Sequence, residues 1–95
     1  MFKLFCIQNK NLEWKQLQES ALPITIPNGA TEMYLKFKND SSSNYKFSNV
    51  LPVFNGWFWC GEFYIEIGSN NVMQKFSETV NSVMYPVKSA ILYYR

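Results

Sequence analysis

The sequence contains no histidine, which removes the side chain that enzymes use most often as a general base. Histidine is also the commonest metal ligand, and two cysteines alone do not supply the four Cys or His ligands of a structural zinc site. Neither cysteine has a histidine to activate it as a nucleophile, and the four glycines form no phosphate-binding loop. We therefore expect a protein that is not an enzyme and that uses no metal and no cofactor.

The chain also lacks a large excess of either charge and has no long apolar run. The nine basic and seven acidic residues are scattered singly and give a net charge of +2, so we expect no nucleic-acid partner, which would require a basic patch. No apolar run approaches the roughly 18 residues of a membrane-spanning helix, so we expect no membrane insertion. Residues 1–7 resemble the start of a signal peptide, but their apolar core is too short for one, and no small-residue cleavage site follows them.

The two cysteines, Cys6 and Cys60, each lie in an apolar, strand-like segment. A disulfide between them is one alternative. Without a secretion signal we expect instead two buried thiols that pack as small hydrophobic groups.

Hydrophobic residues make up 47% of the chain and aromatic residues 18%, enough for one ordered domain that spans residues 1–95. Short segments with alternating apolar residues recur, with turns such as Pro27-Asn28-Gly29 between them. This pattern predicts an all-β domain, a small antiparallel sandwich or barrel of about 6–8 short strands with one short helical turn. Residues 12–21 fit either an amphipathic helix or an extended segment, and we favour the extended segment.

Residues 55–68 form the strongest pattern in the chain, and we expect them to be one long central strand. Its odd positions include Phe63, Ile65 and Ile67, which we place in the core. Glu62 and Glu66 on this strand would lie roughly 13–14 Å apart at about 3.4 Å per residue, too far for a glycosidase pair.

Residues 24–36 combine a hydrophobic-Thr-hydrophobic-Pro segment, a short turn and a Glu that leads into an alternating strand. A Tyr-x-Phe segment follows at residues 45–47, an aromatic-rich segment at residues 57–67, and the ending Tyr-Tyr-Arg at residues 93–95. Together these features resemble the terminal β-domains of phage tail fibres and baseplate-associated proteins of Gram-positive hosts.

The resemblance covers about residues 12–95. The chain departs from the tail-fibre pattern in two places. Near Met1 we expect an additional strand, where a fibrous stalk would precede the domain in tail fibres. Met84-Tyr85-Pro86 stands where a polar turn would be expected. The resemblance implies a β-domain that forms a homo-oligomer, with a trimer favoured, and that occurs in a virion or in the host bacterial cytoplasm. The apolar character of both faces of residues 2–7 and 87–94 also favours self-association.

Two functions are consistent with these features. The first is a binding module that recognises a host surface polymer, in particular a glycan, through aromatic rings that exceed the needs of the core. The candidate ligand-binding residues are Tyr45, Trp57, Phe58, Trp59 and Tyr64. The alternative interpretation of these rings is that they belong to the core or to a subunit interface.

The second function is that of a free-standing phage effector, an anti-defence inhibitor. It would bind a host protein or sequester a small anionic signalling ligand. For the anion, the candidate residues are Lys36, Lys38 and Lys46, which would have to converge on a pocket.

Overall fold

A computed structural model of the chain describes residues 13–95. These residues form eleven β-strands and one short 3₁₀ turn, so the predicted all-β fold and the single helical turn are confirmed. Seven strands have four or more residues, and the other four have two residues each. The strands are β1 (Lys15–Gln16), β2 (Ser20–Ala21), β3 (Ile24–Thr25), β4 (Glu32–Asn39), β5 (Ser42–Phe47), β6 (Leu51–Pro52), β7 (Gly56–Cys60), β8 (Phe63–Gly68), β9 (Val72–Val80), β10 (Val83–Pro86) and β11 (Ser89–Tyr94), and the 3₁₀ turn is Ser69–Asn71.

The strands pair into two antiparallel sheets. The first sheet has the order β1-β11-β4-β5, with β2 also beside β11 and β6 also beside β4. The second sheet has the order β10-β9-β8-β7, with β3 also beside β9. The expected strand at residues 2–7 and Cys6, and with it the question of a Cys6–Cys60 disulfide, lie outside the described residues.

The inner faces of the two sheets pack on each other and enclose one core. Phe37 of the first sheet contacts the rings of Phe63 and Phe76 of the second, with ring centroids 5.9 and 5.2 Å apart. The predicted burial of Phe63, Ile65 and Ile67 is confirmed. The extended conformation favoured for residues 12–21 is confirmed for the part described, which contains β1 and β2.

The prediction of one long strand over residues 55–68 is wrong, because this segment is a hairpin of β7 and β8. Gly61 occupies the first position of a two-residue loop with a φ of +62°, where type II′ turns have glycine. Cys60 pairs with Phe63 across the loop, so even positions of β7 face the same side as odd positions of β8. Trp57 and Trp59 therefore lie on the outer face, opposite to Phe63 and its odd-numbered neighbours, instead of beside them. Glu62 lies in the turn and not on a strand face shared with Glu66.

In the sequence, Val72, Gln74 and Phe76 alternate with Met73 and Lys75, which predicts Val72 and Phe76 on one face of a strand. In the structure, Met73 and Phe76 are instead the buried pair. The register of β9 against β8 shifts between Glu66 and its neighbour Ile67, as in a β-bulge. A bulge adds one residue to one strand and so moves the following side chains to the other face.

The polar run at residues 39–44 predicts a loop, but the connection is shorter in the structure, because β4 ends at Asn39 and β5 begins at Ser42. The side-chain oxygen Oδ1 of Asn39 accepts a hydrogen bond from the backbone N–H of Ser41 at 2.8 Å, which tightens the turn. The sequence also predicts a partner strand over residues 45–51, but β5 ends earlier, at Phe47. There the Oγ of Ser48 accepts a hydrogen bond from the backbone N–H of Leu35 in place of a carbonyl oxygen.

The hairpin turn can be tested with a pair of glycine variants. We expect Gly61→Ala to lower the free energy of unfolding by about 1–2 kcal/mol, because an L-residue is strained at positive φ. Gly68→Ala is the matched control, since Gly68 has a φ of −91° and its added Cβ would be in ordinary contact with neighbouring atoms at 3.8 Å. This control should be neutral or stabilising by up to about 1 kcal/mol. Urea unfolding measures both variants, and equal effects would contradict the assigned turn.

Candidate binding surfaces

The five aromatic residues predicted to bind a ligand do not form one site. Trp57, Trp59 and Tyr64 lie on the outer face of the second sheet, and Tyr45 lies on the outer face of the first. Phe58 pairs with Ile65 and packs against the core, and its ring stacks on that of Phe54 with centroids 4.5 Å apart. The structure therefore offers two separate outer surfaces.

The outer face of the second sheet carries a row of side chains that crosses all four main strands. Trp59 pairs with Tyr64, Tyr64 with Ser77, and Ser77 with Pro86, so the four residues lie side by side. The rings of Trp59 and Tyr64 are in contact, with centroids 5.1 Å apart. Trp59 is 50% exposed and its neighbour Trp57 is 68% exposed, although tryptophan is usually among the more buried residues.

A depression of about 420 Å³ lies in this row, and we call it the Ser77 groove. Tyr64 forms one wall, and Met84 and Pro86 form the other. The small side chain of Ser77 lies between these walls, which makes the face concave there. The volume is within the range of small-ligand sites, about 300–1,000 Å³.

Charged groups at one end of the Ser77 groove nearly offset each other. The hydroxyl of Tyr64 donates a hydrogen bond to Oε2 of Glu66, and the Nζ of Lys75 lies 4.0 Å from the same oxygen. The hydrogen bond to Glu66, together with desolvation and the nearby negative charge, raises the pKa of Tyr64 above its ordinary value of 10.0. The hydroxyl of Tyr64 thus stays protonated and oriented at neutral pH.

The outer face of the first sheet carries a contiguous set of rings, Trp14, Tyr34, Tyr93 and Phe47, which we call the aromatic ladder. Tyr34 stacks on Tyr93 with centroids 4.5 Å apart and contacts Trp14 edge-on at 4.7 Å and Phe47 at 6.0 Å. The guanidinium carbon of Arg95 lies 4.0 Å from the centre of the Trp14 ring. Most of these rings thus pack against one another, although Phe47 remains 59% exposed.

Of the three lysines predicted to bind an anion, two lie together beside the aromatic ladder. The amino groups of Lys36 and Lys38 lie 5.2 and 4.8 Å from the centre of the Tyr45 ring. Neither forms an ion pair with a carboxylate of residues 13–95. The hydroxyl of Tyr45 donates to the carboxylate of Glu19 at 3.3 Å, so this surface is not uniformly positive.

The third lysine, Lys46, does not join them, because it lies on the opposite side of β5. Its amino group is 3.1 Å from Oε1 of the buried Glu78 and 2.8 Å from the Oγ of Ser41. Asn39 donates to the same oxygen of Glu78 at 2.9 Å. This polar cluster links β4 and β5 of the first sheet to β9 of the second, so the role of Lys46 is structural.

Sequence reasoning missed Ser77, Met84 and Pro86. They are brought to Tyr64 only by the register of β8, β9 and β10, and no local pattern marks that register. The only signal in the sequence for these residues is that residues 84–86 depart from the tail-fibre pattern.

Within residues 13–95 no group of three or more carboxylate or thiol ligands could hold a metal ion. No helix in that part of the chain is long and apolar enough to span a membrane. Comparisons with protein-family models, curated proteins and solved structures find no match to this chain. Function therefore has to be inferred from the two surfaces themselves.

The structural role of Lys46 predicts a stability effect. We expect Lys46→Met to lower the free energy of unfolding by about 1–3 kcal/mol. This is less than for a fully buried pair, because Lys46 is partly exposed, while Glu78 is left buried without its cation. Lys38→Met is the matched control and should cost at most about 1 kcal/mol, the value of an exposed cation–π contact. Equal losses in thermal or urea unfolding would contradict the assignment.

The two tyrosine–carboxylate contacts predict separable titrations. Since Glu66 raises the pKa of Tyr64 and Glu19 raises that of Tyr45, Glu66→Ala should lower only the first pKa and Glu19→Ala only the second. Any stability from each contact is present below pH 10.0 and is lost as the pH rises through the raised pKa of the folded protein. NMR titration of the tyrosine ring carbons measures both values. A change in both pKa values from one substitution would be inconsistent with this geometry.

Proposed function

We propose that the chain is a non-catalytic binding domain of the tail-fibre type, which recognises a polysaccharide on a host surface. The observation that carries the proposal is the pair of largely exposed tryptophans beside a groove with apolar walls and a hydroxyl at its floor. A sugar ring has the matching chemistry, because its C–H groups form apolar faces and its hydroxyls project from the edges. Aromatic rings with a polar neighbour suit such amphipathic ligands.

The shape of the surface also favours a polymer. Trp57 lies two residues before Trp59 on the same face of β7, and the row from Trp59 to Pro86 crosses β8, β9 and β10. Neighbouring strands are about 4.8 Å apart, so this row extends about 14 Å across the sheet. A ligand of more than one sugar unit could contact both tryptophans and the groove.

The effector that sequesters a small anionic ligand finds less support. An anion site built from three convergent lysines would need the amino group of Lys46, which instead contacts Glu78 and Ser41. Lys36 and Lys38 lie over an aromatic ring on the outer face of the sheet, with the carboxylate of Glu19 bound to the same tyrosine. We therefore retain the polysaccharide as the proposed ligand.

We also propose self-association, with a trimer favoured, as the tail-fibre resemblance implies. One argument for it is weaker in the structure, because the outer face of β11 is partly covered by the chain itself through the stack of Tyr93 on Tyr34. Sedimentation velocity tests the proposal, and a monomer in dilute solution would overturn it.

The binding function can be tested with tryptophan variants on a glycan array and on purified host cell-wall polysaccharide. We expect Trp57→Ala and Trp59→Ala each to weaken binding about tenfold or more, as for an exposed aromatic anchor. Phe47→Ala is the matched control, since Phe47 is as exposed but lies on the other sheet, and it should bind like the wild type. Absence of binding by the wild type, or equal losses in all three variants, would refute the proposal.

A further inference from the structure

Ser77 occupies an unusual position in the second sheet. Its pairing with Tyr64 and Pro86 places its side chain on the outer face, where most residues are at least partly exposed. Yet Ser77 is only 7% exposed, because the walls of the Ser77 groove rise on both sides of it. It is therefore a recessed polar group at the floor of the groove.

The hydroxyl of Ser77 has no hydrogen-bond partner among residues 13–95. In the same part of the chain, no completely buried side-chain nitrogen or oxygen lacks a partner, so the Oγ of Ser77 must reach the surface of the groove. Recessed polar groups in proteins are nearly always hydrogen-bonded. The partner of this hydroxyl is therefore either water in the open groove or a ligand that displaces that water.

The charges around this hydroxyl limit the ligand. Glu66 already accepts a hydrogen bond from the hydroxyl of Tyr64, and the Nζ of Lys75 lies 4.0 Å from the Oε2 of Glu66. One negative and one positive group at the same end leave the groove without net charge. A ligand with a charge of its own would gain little there, and it would lose hydration against the apolar wall of Met84 and Pro86.

We infer that Ser77 determines specificity by exchanging a hydrogen bond with one hydroxyl of a neutral pyranose that lies between Tyr64 and the Met84–Pro86 wall. This inference rests on the proposed function and names its ligand class and the residue that selects it. A site that hydrogen-bonds a ligand hydroxyl discriminates against the analogue that lacks it, because the polar group of the site is then left unpaired. A sugar that lacks the matching hydroxyl should therefore bind more weakly.

The ligand class can be tested by NMR titration of the wild-type chain with simple sugars. The neutral probes are methyl glycosides of glucose, galactose, mannose and N-acetylglucosamine, and the charged probes are glucuronic acid and glucosamine. We expect at least one neutral probe to shift the amide signals of Ser77 and Tyr64 and the indole N–H signal of Trp59, which lies beside Tyr64. Charged probes should bind more weakly than their neutral counterparts.

The role of the hydroxyl is tested with Ser77→Ala and with deoxy analogues of the sugar that binds. We expect Ser77→Ala to weaken binding about two- to tenfold, the effect of one neutral hydrogen bond. The wild type should discriminate against one deoxy analogue, and the variant should bind that analogue and the parent sugar equally. The matched control is Thr79→Ala, which changes an outward hydroxyl of β9 beyond the groove and should leave affinity unchanged.

Stability provides an independent measure of the same variant. Because the hydroxyl has no partner within residues 13–95, Ser77→Ala should leave the Tm unchanged or raise it. Loss of stability would show that the hydroxyl is bonded within the protein and would overturn the inference.

The outcomes separate the inference from the proposed function. If the indole signals shift but the Ser77 signal does not, or if Ser77→Ala binds like the wild type, the inference fails while the binding function stands. Preferred binding of a charged probe overturns the assignment of a neutral ligand. If no probe and no polysaccharide shifts any signal, both fail.

Discussion

The contact of Phe37 with Phe63 and Phe76 holds the two sheets together, and the rest of the structure depends on it. The ring of Phe37 meets both partners nearly edge-on, and those partners stack on each other at 5.5 Å. Full burial of each ring stabilises the fold by about 1.5–3 kcal/mol, and the edge-to-face geometry adds about 0.5–1.5 kcal/mol per pair. Since this core uses the inner faces of both sheets, the two candidate binding surfaces lie on their outer faces.

Which residues reach the outer faces is decided by strand register. Because of the two-residue turn that begins at Gly61, odd-numbered side chains lie on the outer face in β7 and on the inner face in β8. Trp57 and Phe63 are both at odd positions, yet they lie on opposite faces of the sheet. The bulge near Ile67 has a similar effect on β9, where Met73 and Phe76 are both buried. A slip of one residue in either place would move every following side chain to the other face.

The sequence was sufficient to predict what is local. The alternation of apolar residues in positions 33–38 predicts Met33, Leu35 and Phe37 as inward, and all three are buried, as is the aliphatic end of β8. It was insufficient for the hairpin, because the loop has only two residues, Gly61 and Glu62, and the odd–even alternation continues on both sides of it. It also could not predict the Ser77 groove, whose walls come from strands that meet only through long-range pairing.

The same limitation explains why the predicted anion-binding lysines and the predicted ligand-binding aromatic residues do not each lie together in the structure. Lys36, Lys38 and Lys46 share an alternating context in sequence, yet the third lies on the inner side, where a carboxylate of the opposite sheet meets it. Burial of that carboxylate without a partner would cost several kcal/mol, so the inward lysine contributes to stability through this ion pair. The sequence does not distinguish an outward lysine from an inward one that pairs with a carboxylate, because the partner Glu78 is distant in sequence.

The two outer faces differ in how far their polar and aromatic groups are already engaged, and this difference distinguishes stability from recognition. On the first sheet, Tyr34 contacts three other rings, and Arg95 lies over Trp14 and bonds to Glu32 at 2.8 Å. On the second sheet, Trp57 stacks on no ring of residues 13–95, and the hydroxyl of Ser77 has no partner there. Groups that satisfy each other stabilise the fold, whereas exposed rings beside an unpaired hydroxyl can gain contacts only from another molecule. The aromatic residues of the first sheet thus pack largely on one another, and the proposed ligand surface lies on the second sheet, where Trp57 and Trp59 are at least half exposed.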